Sequence, residues 1–543
     1  MPQRPEDYDC IIVGAGHNGL VCAAYLARAG RKVLVLERSD VVGGAAITEA
    51  IAPGYRASTA SYLISLLQPA IERELQLARY GYRVLGRNPS SFTPLPGAGD
   101  GYLLLGPDAE LNQREISKFS AADAAAYPRY EAWLTRIAEA LETVLDDVPP
   151  DLLPLPADFR QRSLSQRWAN LRRGWRFHRA LKRLGADLPS ALELLSGPAR
   201  PILDRWFESD VLKATLATDA IIGAMAPPSA AGTGYVLLHH VMGTAGGARG
   251  VWGYVEGGMG ALTAAVRQAA EDAGARIRTG CAVVGIETEG GRATGVRLAS
   301  GERIGAAQIA SNATPEVTFT QLLDRAVLPP AFCEAVARID YSSASMKINL
   351  ALSELPDFRC CPGKDAVGPQ HRGTIHISPT LEYIETAYED ARRGLPSRHP
   401  VIELTIPTSV DTTLAPPGHH IVQMFVQYAP YKLAGADWDE IKDAFADRCI
   451  DAVDAYAPNF RDAVLHRQVL SPLDLERRFA LTGGNIFHGA MPLHQLFGFR
   501  PVPGWSDYRT PVAGVYFCGA GAHPGGGVSG IPGRNAAGIM LQD

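Results

Sequence analysis

The sequence predicts an α/β chain: a Rossmann-like domain interrupted by a discontinuous α+β domain. Two glycine clusters at opposite ends carry that reading, and a segment between them joins the two. IIVGAGHNGL, residues 11–20, places three glycines after an apolar run. FCGAGAHPGGGVSGIPGRNAAG, residues 517–538, holds eight glycines in 22 residues, again after an apolar run. Between them, residues 281–311 read as a meander of short strands with turn glycines at 289–291 and 300–302.

The first cluster is the more informative. Residues 10–13 are continuously apolar, as in a buried parallel strand. Gly14, Gly16 and Gly19 follow in G-x-G-x-x-G spacing, then an Ala-rich helix from about Leu20 to Ala29, then the strand KVLVLE ending at Glu37. Gly14 permits the tight turn, Gly16 lets the backbone approach a pyrophosphate, and Gly19 lets helix and strand pack closely. The helix N-terminus offers free N–H groups and a partial positive charge to that anion. Glu37 ends the second strand, where a carboxylate can accept ribose hydroxyls. This order of elements predicts a dinucleotide site; the motif alone does not choose between FAD and NAD.

The bulk numbers bound the rest. A chain of 543 residues exceeds one usual core. A net charge of −5 gives no whole-protein attraction to nucleic acid. Eight cysteines without a C-x-x-C pair fit reduced thiols, not a disulfide scaffold or a zinc site. The segment MPQRPEDYDC leaves no room for a targeting peptide before the first strand, which predicts a cytoplasmic protein. No run of about 18 apolar residues predicts a spanning helix.

The C-terminal cluster reads as strand, glycine loop and helix: a second phosphate-type site without G-x-G-x-x-G spacing. Its cofactor-contact candidates are Gly519, Ala520, Gly527 and Val528. Gly43 and Gly44 in RSDVVGGAA continue past Glu37 into another tight turn. That tail resembles the extended fingerprint of FAD enzymes in the amine oxidase and phytoene desaturase group. There, a residue placed as Arg38 lies near the adenosine ribose. A valine in V-x-x-I gives its backbone to the adenine, and Val283 with Ile286 matches it. From GAGHNGL through ASYLISLLQP, NPSSFTPL, GTGYVLLHHVMG, WGYVEGGMGAL and GGNIFHGAM to GAHPGGG, the whole chain resembles one subfamily of the carotenoid and retinoid oxidoreductases. That subfamily is named for a pyridine nucleotide-disulfide oxidoreductase domain. The resemblance implies the fold and FAD, and eukaryotic relatives that are mitochondrial. The subfamily name fits these residues poorly: there is no paired redox cysteine motif and no second G-x-G-x-x-G after a strand. Oxygen, a quinone or a protein carrier is the expected electron acceptor.

The predicted FAD-binding segments are 1–89, 246–330 and 486–543, and the substrate domain takes 90–245 and 331–485. In the latter, VIELTIPTSV and HIVQMFVQYAP read as strands and EAWLTRIAEALETVLDDV as an amphipathic helix. The stretch 159–185 has nine Arg or Lys, no acid, and Trp168, Leu171, Trp175 and His178 at helical spacing. Either its tryptophans pack in the core, the preferred reading, or the helix lies on an anionic membrane surface. Lys347 stands in the apolar strand MKINLAL. It is either snorkelling at a strand end or buried with a depressed pKa. In amine oxidase relatives the matching lysine holds a water at flavin N5, whereas carotenoid desaturases generally lack it. His239–His240 and His419–His420 lack metal spacing and read as structural. Tyr254 and Met259 sit in GYVEGGM, a loop that lies by the flavin in relatives.

The expected chemistry is hydride transfer from a substrate C–H to flavin N5, with the protein positioning the bond and excluding water. Three readings follow. The leading one forms, saturates or isomerises C=C bonds in an apolar carotenoid-, retinoid- or lipid-like substrate. The second oxidises a C–N bond with Lys347 assisting. In the third, FAD is a structural ligand of a regulatory protein.

Overall fold

The structure is a computed structural model and describes residues 8–97, 101–152, 160, 163–245 and 248–543. Residues 1–7, on which the cytoplasmic expectation rests, lie outside the described residues. Two seven-stranded sheets organise the chain. In the first, Arg276–Arg278, Val33–Leu36, Tyr8–Val13 and Arg303–Ser311 lie side by side, all parallel, and Val515–Phe517 adds in parallel to the last of them. The antiparallel strands Arg292–Leu298 and Val283–Glu289 extend the sheet as a meander. The apolar runs at 10–13 and 33–36 are buried throughout, as in a parallel sheet covered on both faces. His17–Arg28, Met259–Asp272 and Ile531–Met540 pack together there. The first helix starts at His17, ahead of the Leu20 that the sequence pattern suggests, because Gly16 adopts extended backbone and serves as its N-cap.

The second sheet runs Val464–Leu470, Ser345–Leu352, His420–Gln427, Val401–Thr405, Thr374–Ile377, Ser91–Pro94, Tyr102–Leu105. All neighbours are antiparallel except Thr374–Ile377 with Ser91–Pro94. One face packs its own apolar core, including Ile348, Leu350, Leu404 and Met424, against Trp438–Asp454. Helices between 121 and 241 form a separate layer whose core includes Leu134, Ile137, Leu212 and Leu237.

The stretch 159–185 corrects the preferred sequence reading. Its described part is a helix, Leu164–Leu184, begun by a Ser163–Gln166 capping box. Trp168 and Trp175 do not pack in the core: they are 66% and 60% exposed, and Leu171 is 63% exposed. Only Ala180 and Leu184 of this helix are buried. Among the described residues no helix is long and apolar enough to cross a membrane.

Candidate active site

One cavity of about 870 Å³ runs from the glycine clusters to the second sheet. Backbone builds its first end. Gly14, with φ +95°, turns the chain out of the first strand, and its N–H donates to the carbonyl of Leu36 at 2.8 Å. Gly19 lies behind the turn: a Cβ there would fall 2.2 Å from the Gly14 carbonyl oxygen. The Gly43 N–H donates to Ala15 O at 2.8 Å, so the two glycine segments form one wall. Glu37 accepts from Ala15 N–H at 2.8 Å and from Ser39 N–H at 2.9 Å. Those bonds fix its carboxylate at the cavity edge and leave acceptor capacity for hydroxyls.

Most sequence candidates meet here. Gly14, Gly16, Glu37, Arg38, Gly43, Gly44, Val283, Ala520, Gly527 and Val528 all line the cavity. Gly19 and Gly519 do not; each permits close packing behind the wall, and a Cβ on Gly519 would meet Asn312 O at 2.8 Å. Arg38 donates to the carbonyls of Arg477 and Arg478. Val528 holds φ +60°, a left-handed conformation rare for a β-branched residue. Tyr254 and Met259 stand outside the lining: Tyr254 packs under Arg87, and the Met259 N–H donates to Ser58 Oγ. Buried Arg500 donates to carbonyls of Phe487, Gly489, Ala490, Gln495 and Ala520, tying one loop of the wall to another.

Side chains build the other end, and register aligns them. His376 is opposite Glu403, Glu403 opposite Phe425, and Phe425 opposite Lys347. Directly paired residues share a face, so this row crosses four strands on one side of the second sheet. Tyr62 lies over it. Its ring stacks on Phe425 with centroids 6.2 Å apart, its hydroxyl donates to Glu403 Oε2 at 3.4 Å, and Lys347 Nζ sits 3.8 Å from its ring centre. Neighbouring backbone is pinned to the sheet by Gln423 on Ser58 O at 2.7 Å and Asn349 on Thr59 O at 3.1 Å. Asp219, just past the helix Asp210–Thr218, faces the same space. Arg87 donates to Thr374 Oγ1 at 2.8 Å and to Trp252 O.

Burial sets the charges of this end. It pushes the Asp219 carboxyl up to about 8, with the Glu403 charge adding and Arg87 opposing. It pushes Glu403 up to about 7. It drives Lys347 well below the ordinary lysine value, and Nζ has no hydrogen-bond partner among the described residues. Of the two sequence readings of Lys347, the buried one holds. His376 is held neutral, its pKa lowered to about 3, and its Nδ1 lies 3.2 Å from Thr218 Oγ1. His239 and His240, read as structural from sequence, also line the cavity and are neutral by burial.

Residues 19–411 match the family described as flavin containing amine oxidoreductase. The chain belongs to this family. It is 49% identical to the rat protein named pyridine nucleotide-disulfide oxidoreductase domain-containing protein 2, over 99% of this chain and 94% of that one. It is 26% identical to a limonene dehydrogenase polypeptide of Castellaniella defragrans, over 98% and 94%. The fold is similar to cyclohexylamine oxidase of Brevibacterium oxydans, with a TM-score of 0.55, 18% identity and 99% of both chains covered. Family membership makes the chain an FAD-dependent oxidoreductase. Its residues fit the cofactor. The N-terminus of His17–Arg28, whose N–H groups no side chain caps, and the glycine wall suit a pyrophosphate, and the Glu37 carboxylate suits a ribose.

Proposed function

We propose that this oxidoreductase oxidises a C–N bond, taking hydride from the carbon beside an amine nitrogen held at the charged end of the cavity. The observation that carries the reading is the pair of carboxyls, Asp219 and Glu403, facing one cavity beside the stacked rings of Tyr62 and Phe425. An apolar tunnel has no use for two acids and Arg87, since burying such groups is costly unless something binds them. With Glu403 pushed up to about 7, a share of it is ionised near neutral pH, where it pairs with an arriving ammonium and serves as general base for its extra proton. Tyr62 and Phe425, stacked on each other, wall this end with aromatic surface. As hydride leaves the carbon, the nitrogen lone pair becomes the second bond of C=N, so the nitrogen must be neutral first; Glu403 is the base placed to make it so. FAD supplies the two-electron acceptor when bound. Lys347 stands behind Tyr62, outside the cavity lining, so the role the amine oxidase resemblance implies for it, holding a water at flavin N5, carries no weight in this reading.

A second reading keeps the leading sequence expectation, desaturation, saturation or isomerisation of an apolar carotenoid-, retinoid- or lipid-like substrate. Leu134, Leu216, Ile222 and Leu237 line the same cavity, and one relative is named for limonene dehydrogenase. Anaerobic bleaching of the bound flavin separates the two. Purified holoprotein is mixed with methylated amines, polyenes, retinoids and acyl lipids. Bleaching by an amine, and its loss in Glu403→Gln, supports C–N oxidation. Bleaching by an apolar compound alone overturns it in favour of the second reading. If dithionite alone bleaches the flavin, both fail and FAD is a structural ligand.

A further inference from the structure

The helix Leu164–Leu184 has two apolar faces, and the fold uses one. At about 100° per residue, Ala180 and Leu184 point inward. Leu164, Trp168, Leu171 and Trp175 fall within about 60° of one another on roughly the opposite side. They are 75%, 66%, 63% and 60% exposed. Arg167, Arg172, Arg179, Lys182 and Arg183 border that stripe and are exposed too. The helix contains no acidic residue, although the chain as a whole carries −5. Arg179 covers the Trp175 ring with its guanidinium 4.6 Å from the centroid.

We infer that this face docks on an anionic lipid surface, with Trp168 and Trp175 at the level of the headgroups and the bordering cations on the phosphates. Charge chooses the occupant. Pairing with a second copy would bring two acid-free, cation-rich helices together, an arrangement that like charges oppose. A nucleic acid would satisfy the cations but leave two leucines and two indoles in water. A lipid interface takes both, because indole rings partition to the headgroup region and each nearby cation adds attraction to anionic lipid. The helix packs on Ala121–Leu145, whose Tyr127, Tyr130 and Leu134 line the cavity. Docking therefore sets the cavity wall close to the bilayer.

The test is vesicle flotation of the FAD-loaded protein. Phosphatidylcholine vesicles with and without phosphatidylglycerol are compared at low and high salt. The expected result is flotation with phosphatidylglycerol only, weakened by salt, with tryptophan emission shifted to the blue. Trp168→Ser/Trp175→Ser removes the shift and lowers flotation at least tenfold while the flavin spectrum and melting temperature stay unchanged. Arg172→Gln/Arg179→Gln, which spares the indoles, lowers flotation and its salt dependence together. No flotation overturns the inference. So does a concentration-dependent dimer, seen by light scattering, that the tryptophan variant abolishes. Flotation equal on both vesicle types overturns the electrostatic half of it.

Discussion

The two ends of the cavity are made of different material. The flavin end is largely backbone: Gly14, Gly16, Gly43, Gly44, Ala520 and Gly526 to Val528 line it, with Gly19 and Gly519 packed behind, and Glu37 is fixed at its edge by backbone N–H groups. The far end is side chain: Tyr62, Arg87, Asp219, His376, Glu403 and Phe425, drawn from separate segments of the chain, with Lys347 behind Tyr62 and outside the lining. The first is a fixed cradle for one cofactor. In the second, burial holds Tyr62, Asp219, His376 and Glu403 off their ordinary pKa values, the arrangement in which substrate discrimination and proton handling are built. Changes at the first end should therefore act on whether FAD is held, and changes at the second on pH dependence and stability.

The largest effect is expected at Gly19. Gly19→Val drives its side chain into the Gly14 carbonyl and separates helix from strand, so the purified protein should be colourless and melt earlier. A yellow Gly19→Val protein would mean that the cradle is not where FAD is held. Glu37→Gln removes a charge but keeps the shape. Loss of a charge-assisted bond, about 1.5–3 kcal/mol, should weaken FAD binding roughly 10- to 100-fold by titration, without moving any pH profile.

The far end should respond in the opposite sense. The carboxyl of Glu403 sits at about 7 in the fold against 4.5 in the unfolded chain. The folded state therefore holds an extra proton between those values, and stability falls as pH rises from about 4.5 to 7. Glu403→Gln should recover up to about 3 kcal/mol above pH 7 and almost nothing at pH 4, measured by denaturant melts at both pH values. An equal gain at both would mean that packing, not ionisation, governs the site. Lys347 runs the other way. Its folded pKa is depressed, so its burden on the fold is absent above about pH 10.5 and grows as pH falls below that value. Lys347→Met should raise the melting temperature by about 2–4 °C at pH 7 and less near pH 11, with FAD still bound.

The same contrast explains what is legible in the sequence. A backbone cradle is written as spacing, and G-x-G-x-x-G followed by helix, strand and acid is contiguous in the chain. Its glycines, Glu37 and the meander can be located without a structure. The far end is written as register, which no single segment displays. Glu403 meets Phe425 and His376 only because three strands align. A signal is nevertheless present: one ionisable residue in an apolar strand. It marks Lys347 in MKINLAL, and the same rule applied throughout finds Glu403 in VIELT and His376 in TIHI. Asp219 and Tyr62 lie outside strands and carry no such mark. The exposed tryptophans mislead because helical spacing reports that residues share a face, not which way the face points.

Ligand binding at the far end, without turnover, asks most simply whether the charged groups there are built to receive an amine. A small quaternary ammonium and its neutral tert-butyl isostere are titrated into oxidised holoprotein, and each is read from the perturbed flavin spectrum between pH 5 and 9. If ionised Glu403 receives the cation, the ammonium binds at least tenfold more tightly above pH 8 than at pH 5. Glu403→Gln then removes the part of this rise below about pH 7, leaving the part that Asp219 supplies near pH 8, and the isostere shows no pH dependence. Equal binding of ammonium and isostere at every pH would contradict an amine site, and would make the charged end a structural feature of a cavity built for apolar substrates.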